Sequence, residues 1–486
     1  MKAKKPNKQL SKMVFNKYVM MYRLFLISFF IFPCFAFAQT IPDEFTIKEF
    51  YEQVFRQHPL VKQAQSLSPL AQQEIRMARG GFDPKLGVDF SRKQFDKKEY
   101  YQLFYSKIKA PLWIGEFQAS FERNQGYYLD DSDNTHPSGL LAVGVGIPIG
   151  RNLLIDERRN TLRQAQLTQN IAEAEKIKLI NKLLINATKD YAEWYLAYHQ
   201  YRYLQAGYTL AQDRYNAIKQ RLMMGELAPI DSVQALITLQ ERGIALQQGE
   251  VDWQNAGLRL SNHLWADGNA PMQIEPNVVP QPFAVNASLA QEATLQDLLI
   301  FAQQNHPEMR KIVFKQKQLA YEERFQTNNL LPNLMLNYNL LRNVQANSPS
   351  TNFNFRDNYK VGVTFEIPLL MRKERSKLQM VRIKQMQIGW ELQQIQREIQ
   401  NEIRASYNEI VTYSRQLTQQ QSMVENYRIL RDGELRKFWA GESSLFIINA
   451  QESKYIESQI KLEQIRTKYL KAQAYLLWAA GKPLWE

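Results

Sequence analysis

The chain repeats itself, and that repetition limits what it can fold into more than any other feature. Thr46 precedes His58-Pro59 by 12 residues, and Thr294 precedes His306-Pro307 by the same 12. From His58 to Pro84 is 26 residues, and from His306 to Pro332 is again 26. Alternating runs then end at Pro148 and Pro368, and glycines follow at Gly225 and Gly441, 77 and 73 residues further on. Landmarks in the same order at matching intervals are the mark of a tandem duplication. Between their paired prolines the halves differ: 64 residues separate Pro84 from Pro148 and 36 separate Pro332 from Pro368, so the first half carries about 28 more. The expected boundaries are a leader over 1–38, a first repeat over 39–270, a linker over 271–290 and a second repeat over 291–486.

Each half reads as helix, strands, long helix, turn, helix. Thr46 and Thr294 suit N-caps, with Glu49 and Asp297 three residues on, near capping-box positions. The segments 85–91, 139–147, 333–341 and 358–367 alternate strictly, with Leu86, Val88 and Phe90 on one side and Gly87, Asp89 and Ser91 on the other. A period of two with one apolar face fits a transmembrane strand or a half-buried sandwich strand equally. The helices decide between them. No proline falls between Pro148 and Pro229 or between Pro368 and Pro483, so about 156–224 and 374–440 read as two very long helices. At 1.5 Å per residue each would reach roughly 100 Å, longer than any ordinary core requires. The shorter helices at 59–80 and 229–265, and at 307–328 and 443–480, match these lengths when stacked end to end, as a wall of parallel columns needs.

The formal charge of +13 suggests a nucleic-acid binder until it is located: seven positive charges and no acid lie in residues 1–38. That stretch has a basic start, an apolar run over 24–35 and Ala36-Phe37-Ala38, the pattern of a cleaved secretory signal. The protein is therefore expected to be exported, with its only cysteine, Cys34, removed with the leader. Beyond residue 38 no run of 18 apolar residues exists, so a membrane could be crossed only by a closed β-barrel. Four strands in one chain would leave two bare edges in lipid, whereas three copies would close twelve. The expected fold class is mainly α with membrane β: duplicated helix–strand–helix repeats forming a trimeric α-barrel plus a 12-stranded outer-membrane β-barrel.

The duplicated His-Pro helices, the strand pairs ending at Ile147-Pro148 and Ile367-Pro368, and the two glycine turns resemble the TolC-like outer-membrane efflux family over about 45–482. The resemblance implies a homotrimer in the outer membrane with a long periplasmic tunnel. Such a channel is the exit duct of a tripartite efflux pump or a type I secretion system. Its implied partners are a periplasmic adaptor and an inner-membrane transporter; no nucleic acid and no cofactor is implied. The 28 extra residues depart from the pattern. With Tyr100–Tyr105 and Trp113–Phe117 among them, they suggest another hairpin, lying at the extracellular mouth, elsewhere on the wall or in the sheet.

The turns at Gly225-Glu226 and Gly441-Glu442 mark the tunnel end opposite the barrel and are candidates for adaptor docking, although a glycine at a helix C-terminus is also ordinary capping. Asp231 stands where relatives carry an aspartate, as a pore carboxylate or as a first-turn acid on a helix dipole. Where relatives often place a second pore acid this chain has Asn449, with Phe446 and Ile447 beside it. Arg221 and Arg436 are candidate gate contacts; together with Arg214 and Arg431 they read mostly as solvated helix faces. His58 and His306 precede proline at equivalent positions and read as packing or capping residues rather than catalysts or metal ligands. The cluster Tyr191, Trp194, Tyr195, Tyr198, Tyr201 and Tyr203 reads as interhelix packing. No hydrolase, nucleotide or dinucleotide motif occurs. The competing readings are an exported periplasmic coiled-coil module and a cell-envelope hydrolase.

Overall fold

The computed structural model describes residues 44–275, 277–283, 287–344 and 356–484. The leader lies outside the described residues. A two-residue strand β1 (Glu44–Phe45) leads into α1 (Ile47–Gln57) and α2 (Pro59–Arg79). Four strands follow: β2 (Lys85–Phe95), β3 (Lys98–Pro111), β4 (Glu116–Gln125) and β5 (Leu140–Pro148). The first long helix, α3 (Glu157–Met223), then turns into α4 (Pro229–Ser261). Strand β6 (Val279–Pro280) pairs in parallel with β1, tying the segment between the halves to the first described residues. The second half is α5 (Glu292–Asn305), α6 (Pro307–Asn328), β7 (Asn333–Asn343), β8 (Tyr359–Glu366), α7 (Arg372–Trp439) and α8 (Leu445–Ala479).

The long helices have 67 and 68 residues, so each runs about 100 Å. Helices α2 and α4 both pack along α3, while α6 and α8 both pack between α3 and α7. The short helices thus occupy successive stretches of one column, and the wall reads α2/α4, α3, α6/α8, α7. Its interior is zipped by side chains of moderate size: Ile403, Ile410, Tyr469 and Leu476 join α7 to α8, and Leu298 of α5 completes that cluster. The aromatic residues of α3 serve packing. Tyr191, Trp194 and Tyr195 are buried; Tyr191 stacks on Phe50 at 5.6 Å and donates to the Phe45 carbonyl at 2.8 Å.

Both histidines before proline are caps. The Nδ1 of His58 accepts from the Leu60 amide at 3.1 Å, and that of His306 from the Glu308 amide at 3.2 Å. Thr46 and Glu49 form the expected capping box. Thr294 does not: α5 begins two residues earlier, at Glu292, and the Thr294 hydroxyl donates to the Ser288 carbonyl at 3.0 Å. A short 3₁₀ turn over Ala287–Ala290 leads the chain into that helix, so the cap position moves upstream.

Six strands form one antiparallel sheet in the order β2-β3-β4-β5-β7-β8. Four were expected. The extra residues of the first half form β3 and β4, which sit between β2 and β5 and pair with both. Their own alternation, from Tyr101 to Lys109 and from Glu116 to Asn124, matches the pleat of their neighbours, so the insertion widens the sheet instead of forming a separate mouth. Three such sheets hold eighteen strands, and the expected twelve does not follow.

A cap made by an unprotonated imidazole nitrogen is lost on protonation. Burial is the main cause pushing His58 down to about 4 from its ordinary 6.5, with the neighbouring His263 adding to it; burial likewise pushes His306 down to about 4. Between pH 6.5 and about 4 the unfolded chain therefore binds protons that the folded chain refuses. We expect the thermal midpoint to hold above pH 6.5 and to fall as the pH drops toward 4. His58→Asn combined with His306→Asn, which keeps a capping acceptor but does not titrate, should flatten that slope in a circular-dichroism melting series. An unchanged slope would mean that other groups govern acid unfolding.

Candidate functional site

The sheet is built with its greasy face outward. Register places Leu86, Ile108, Ala119, Val143, Leu340 and Tyr359 in one row across all six strands. The next row toward the helices holds Ala110, Phe117, Val145, Tyr338 and Val361. Even on the interior strands, side chains on this face are exposed: Ile108 by 44%, Phe117 by 37%, Val145 by 38% and Ile147 by 42%. On the opposite face Gln118 and Asn124 are buried at 8%. Water-soluble sheets do the reverse, because leaving that much apolar area in water costs about 25 cal/mol per Å². Aromatic residues mark both ends of the sheet. Trp113 stacks on Phe82 at the helix-proximal turn, and Tyr100 on Tyr128 at the far end. An apolar band between aromatic girdles is the pattern of a lipid-facing barrel wall.

The polar face is held by a bond that spans a strand. Gln118 of β4 donates through Nε2 to Asn339 Oδ1 of β7 at 2.9 Å, passing over Gly144 of β5. A Cβ on Gly144 would lie 2.2 Å from that Asn339 oxygen, so glycine is required there.

The second location is the helical tip. Gly225 and Gly441 have φ of +78° and +81°, a region that favours glycine. Each closes a Schellman motif: Gly225 and Glu226 donate to the carbonyls of Leu222 and Arg221, and Gly441 and Glu442 to those of Phe438 and Lys437. The two turns meet, because Ile218 and Ala235 pack against Leu445 and Ile448. The helical tips are thus one unit, and the sequence had placed both turns at the same end.

Individual tip residues take different roles. Arg221 pairs with Glu226 at 2.9 Å, both part-exposed, so this contact lies within one turn. Arg436 is exposed, and no carboxylate lies within ion-pair distance of it among the described residues. Asp231 is part-buried in the first turn of α4, and its amide donates to the Ala228 carbonyl. Phe446 is 70% exposed and Ile447 part-exposed. With Ile230, Val233 and Ile237, Phe446 lines a groove of about 570 Å³ between α4 and α8. Asn449 lies deeper: it accepts from Arg214 Nη1 at 2.8 Å and donates to Thr238 Oγ1 at 3.0 Å, bridging three helices.

Arg214 corrects an expectation. Rather than a solvated face, it is 5% exposed and forks onto Glu452, also 5% exposed; Nη1 reaches Oε2 at 2.8 Å, and Nη2 donates to Oε1. The two are 238 residues apart, which hides them from local reading. One signal existed: Arg214 precedes Gly225 by 11 residues and Glu452 follows Gly441 by 11. Helices descending to and rising from one tip bring such positions to the same height. Arg431 also binds locally, to Asp432, with its guanidinium 4.3 Å over Tyr455.

Residues 298–482 match the family model described as outer membrane efflux protein. No curated protein matches by sequence. Solved structures share the fold. The CmeC outer membrane channel of Campylobacter jejuni is 13% identical with a TM-score of 0.61, the match covering 90% of this chain and 85% of that one. The VceC outer membrane protein of Vibrio cholerae is 13% identical at 0.60, covering 90% and 96%. The open-state MtrE outer membrane channel of Neisseria gonorrhoeae is 11% identical at 0.60, covering 90% and 89%. At 11–13% identity these structures define the fold class, that of solved outer membrane channels. Residues 298–482 are thus similar to the outer membrane efflux protein family, and the chain as a whole shares the fold of these channels.

Breaking one side of a buried ion pair leaves an uncompensated charge, which costs about 3–5 kcal/mol. Arg214→Leu alone should therefore lower the unfolding midpoint sharply. Adding Glu452→Leu should recover most of the loss, as read in a double-mutant cycle of melting curves. Additive losses would show that the two side chains do not act as a pair.

Proposed function

We propose that the protein is the outer-membrane exit duct of a tripartite efflux pump or type I secretion system. The observation that carries this reading is the inverted sheet, apolar and exposed on one face, joined to two helices of about 100 Å. Unpaired strand edges cost several kcal/mol per amide in lipid, and β2 and β8 are such edges. Because β2 leaves the helices and β8 returns to them, β8 of one copy and β2 of the next are antiparallel and free to pair. Three copies closing in this way make a homotrimer in the outer membrane, with its helical wall extending into the periplasm.

In this assembly solutes pass through without being chemically changed, and an inner-membrane transporter supplies the energy. A periplasmic adaptor docks at the tip, where Gly225, Glu226, Gly441 and Glu442 form the outermost turns. Three copies of Asp231 would ring the tip opening, beside a neutral, greasy rim from Phe446 and Ile447. Arg221 and Arg436 border it, and Asn449 stiffens the helices behind it.

Detergent-purified protein should run as a trimer and form discrete, long-lived pores in planar bilayers. Extraction as a water-soluble monomer without conductance would refute the duct and favour a periplasmic coiled-coil module. In the same recordings Asp231→Asn should shift the reversal potential in a KCl gradient toward that of chloride. An unshifted potential would remove Asp231 from the pore.

A further inference from the structure

The polar face of the sheet carries a concentration of positive charge that the shared fold does not explain. Register sets Lys85, Lys109, Gln118, Gly144, Asn339 and Lys360 side by side in one row across the six strands. The next row away from the helices adds Lys107, opposite Gly87 and Ser120. These two rows hold four lysines and no acid. Lys85 and Lys109 are direct cross-strand partners, about 5 Å apart at the backbone, an arrangement of like charges that destabilises a sheet. Among the described residues none of the four lies within 4 Å of a carboxylate oxygen. The acids of this face stand in other rows: Glu116 one row nearer the helices, Glu366 at the helix-proximal end of β8, and Asp89 and Glu122 beyond Lys107. Glu122 is already engaged, accepting from Asn124 Nδ2 at 2.5 Å.

Edge protection accounts for part of this charge and fails for the rest. Lysines on a bare edge strand deter unwanted pairing, which would explain Lys85 on β2 and Lys360 on β8. Lys107 and Lys109 belong to β3, an interior strand paired on both sides. Sequences keep a locally unfavourable arrangement where a function needs it.

The geometry points to a selectivity belt: Lys85, Lys107, Lys109 and Lys360 make the membrane segment of the lumen prefer anionic solutes. This rests on the duct reading, which turns the polar face inward. With strands tilted by about 40° a row climbs about 3 Å along the axis at each strand, so Lys85, Lys107 and Lys109 of the copies ring the lumen at nearly one depth and Lys360 lines it at another. A ring of like charge inside a low-dielectric wall raises the local concentration of its counter-ion. Carboxylates, phosphates and sulfates are the solute classes it favours, and added salt weakens the preference over a Debye length of about 10 Å at 0.1 M.

The test is the reversal potential of single pores in a KCl gradient, with chloride and potassium as the probes. K107Q combined with K109Q should lower the chloride-to-potassium permeability ratio about threefold. E116Q, which removes the nearest acid, should raise it. Both shifts should shrink at high salt. Because the two substitutions act in opposite directions, a general loosening of the barrel cannot mimic them. If one variant fails to assemble, the other decides alone. Pores of normal conductance with an unaltered ratio overturn the belt and leave the duct intact. Absence of pores in the unsubstituted protein overturns the duct itself.

Discussion

An apolar sheet face left open over six strands is the constraint from which the remaining features follow. Each strand pairs its backbone groups with its neighbours, and the open face presents Leu, Val, Phe and Tyr. Lipid tolerates that face and forbids only the two bare edges. A monomer therefore has a finished interior and an unfinished perimeter. The same condition explains why the polar face is tightly bonded, with Gln118 reaching Asn339 over a glycine. In an ordinary globular sheet the apolar face would be the close-packed one.

The helical half meets a different requirement, which is length without a thick core. A column only one helix deep cannot bury large apolar areas, so its stability comes from many small lateral contacts along stripes. Occasional strong links supplement them. The Arg214–Glu452 fork with Asn449 is one, and Glu463, accepting from Tyr195, Tyr203 and Arg466, is another. Buried ion pairs add little net stability over apolar packing but specify which helix faces may meet. In a long helical wall, sliding by one turn is the main hazard. A fork that fits at only one height fixes the register.

Much of this was legible because duplication and periodicity are long-range, redundant signals. Two proline-free stretches, each closed by a glycine, defined both long helices to within two residues at each end. The equivalence of His58 and His306 marked them as structural, as packing or capping residues, and the bonds to the Leu60 and Glu308 amides make them caps. The signals that failed were local or pairwise. Residues 98–125 alternate less cleanly, because Ser106 and Arg123 interrupt the apolar face and Leu103 the polar one, so two strands passed for an insertion of unknown place. Thr294 mimicked a cap because Thr-x-x-Asp matches the motif, yet the chain entered its helix through an upstream 3₁₀ turn. Arg214 looked solvated because its partner lies in the other repeat.

The extra strands also resolve a mismatch of circumference. Tilted by about 40° and spaced about 4.8 Å apart, a strand occupies roughly 6 Å of a barrel's rim. Four strands would supply roughly 25 Å per copy, and six supply roughly 38 Å by the same spacing. The helical wall of one copy is four columns wide, and columns 9–10 Å apart cover roughly 36–40 Å. A four-stranded sheet would have to be reached by helices converging steeply toward the membrane. In the proposed trimer six strands give the two cylinders nearly equal girth, and in each copy the wall continues into the sheet through links such as Phe82-Asp83-Pro84 and residues 149–156. The insertion sits in one repeat only, which is sufficient because closure depends on the sum over both. Selection on the membrane half could therefore widen it by a hairpin while the helical repeats kept their original symmetry.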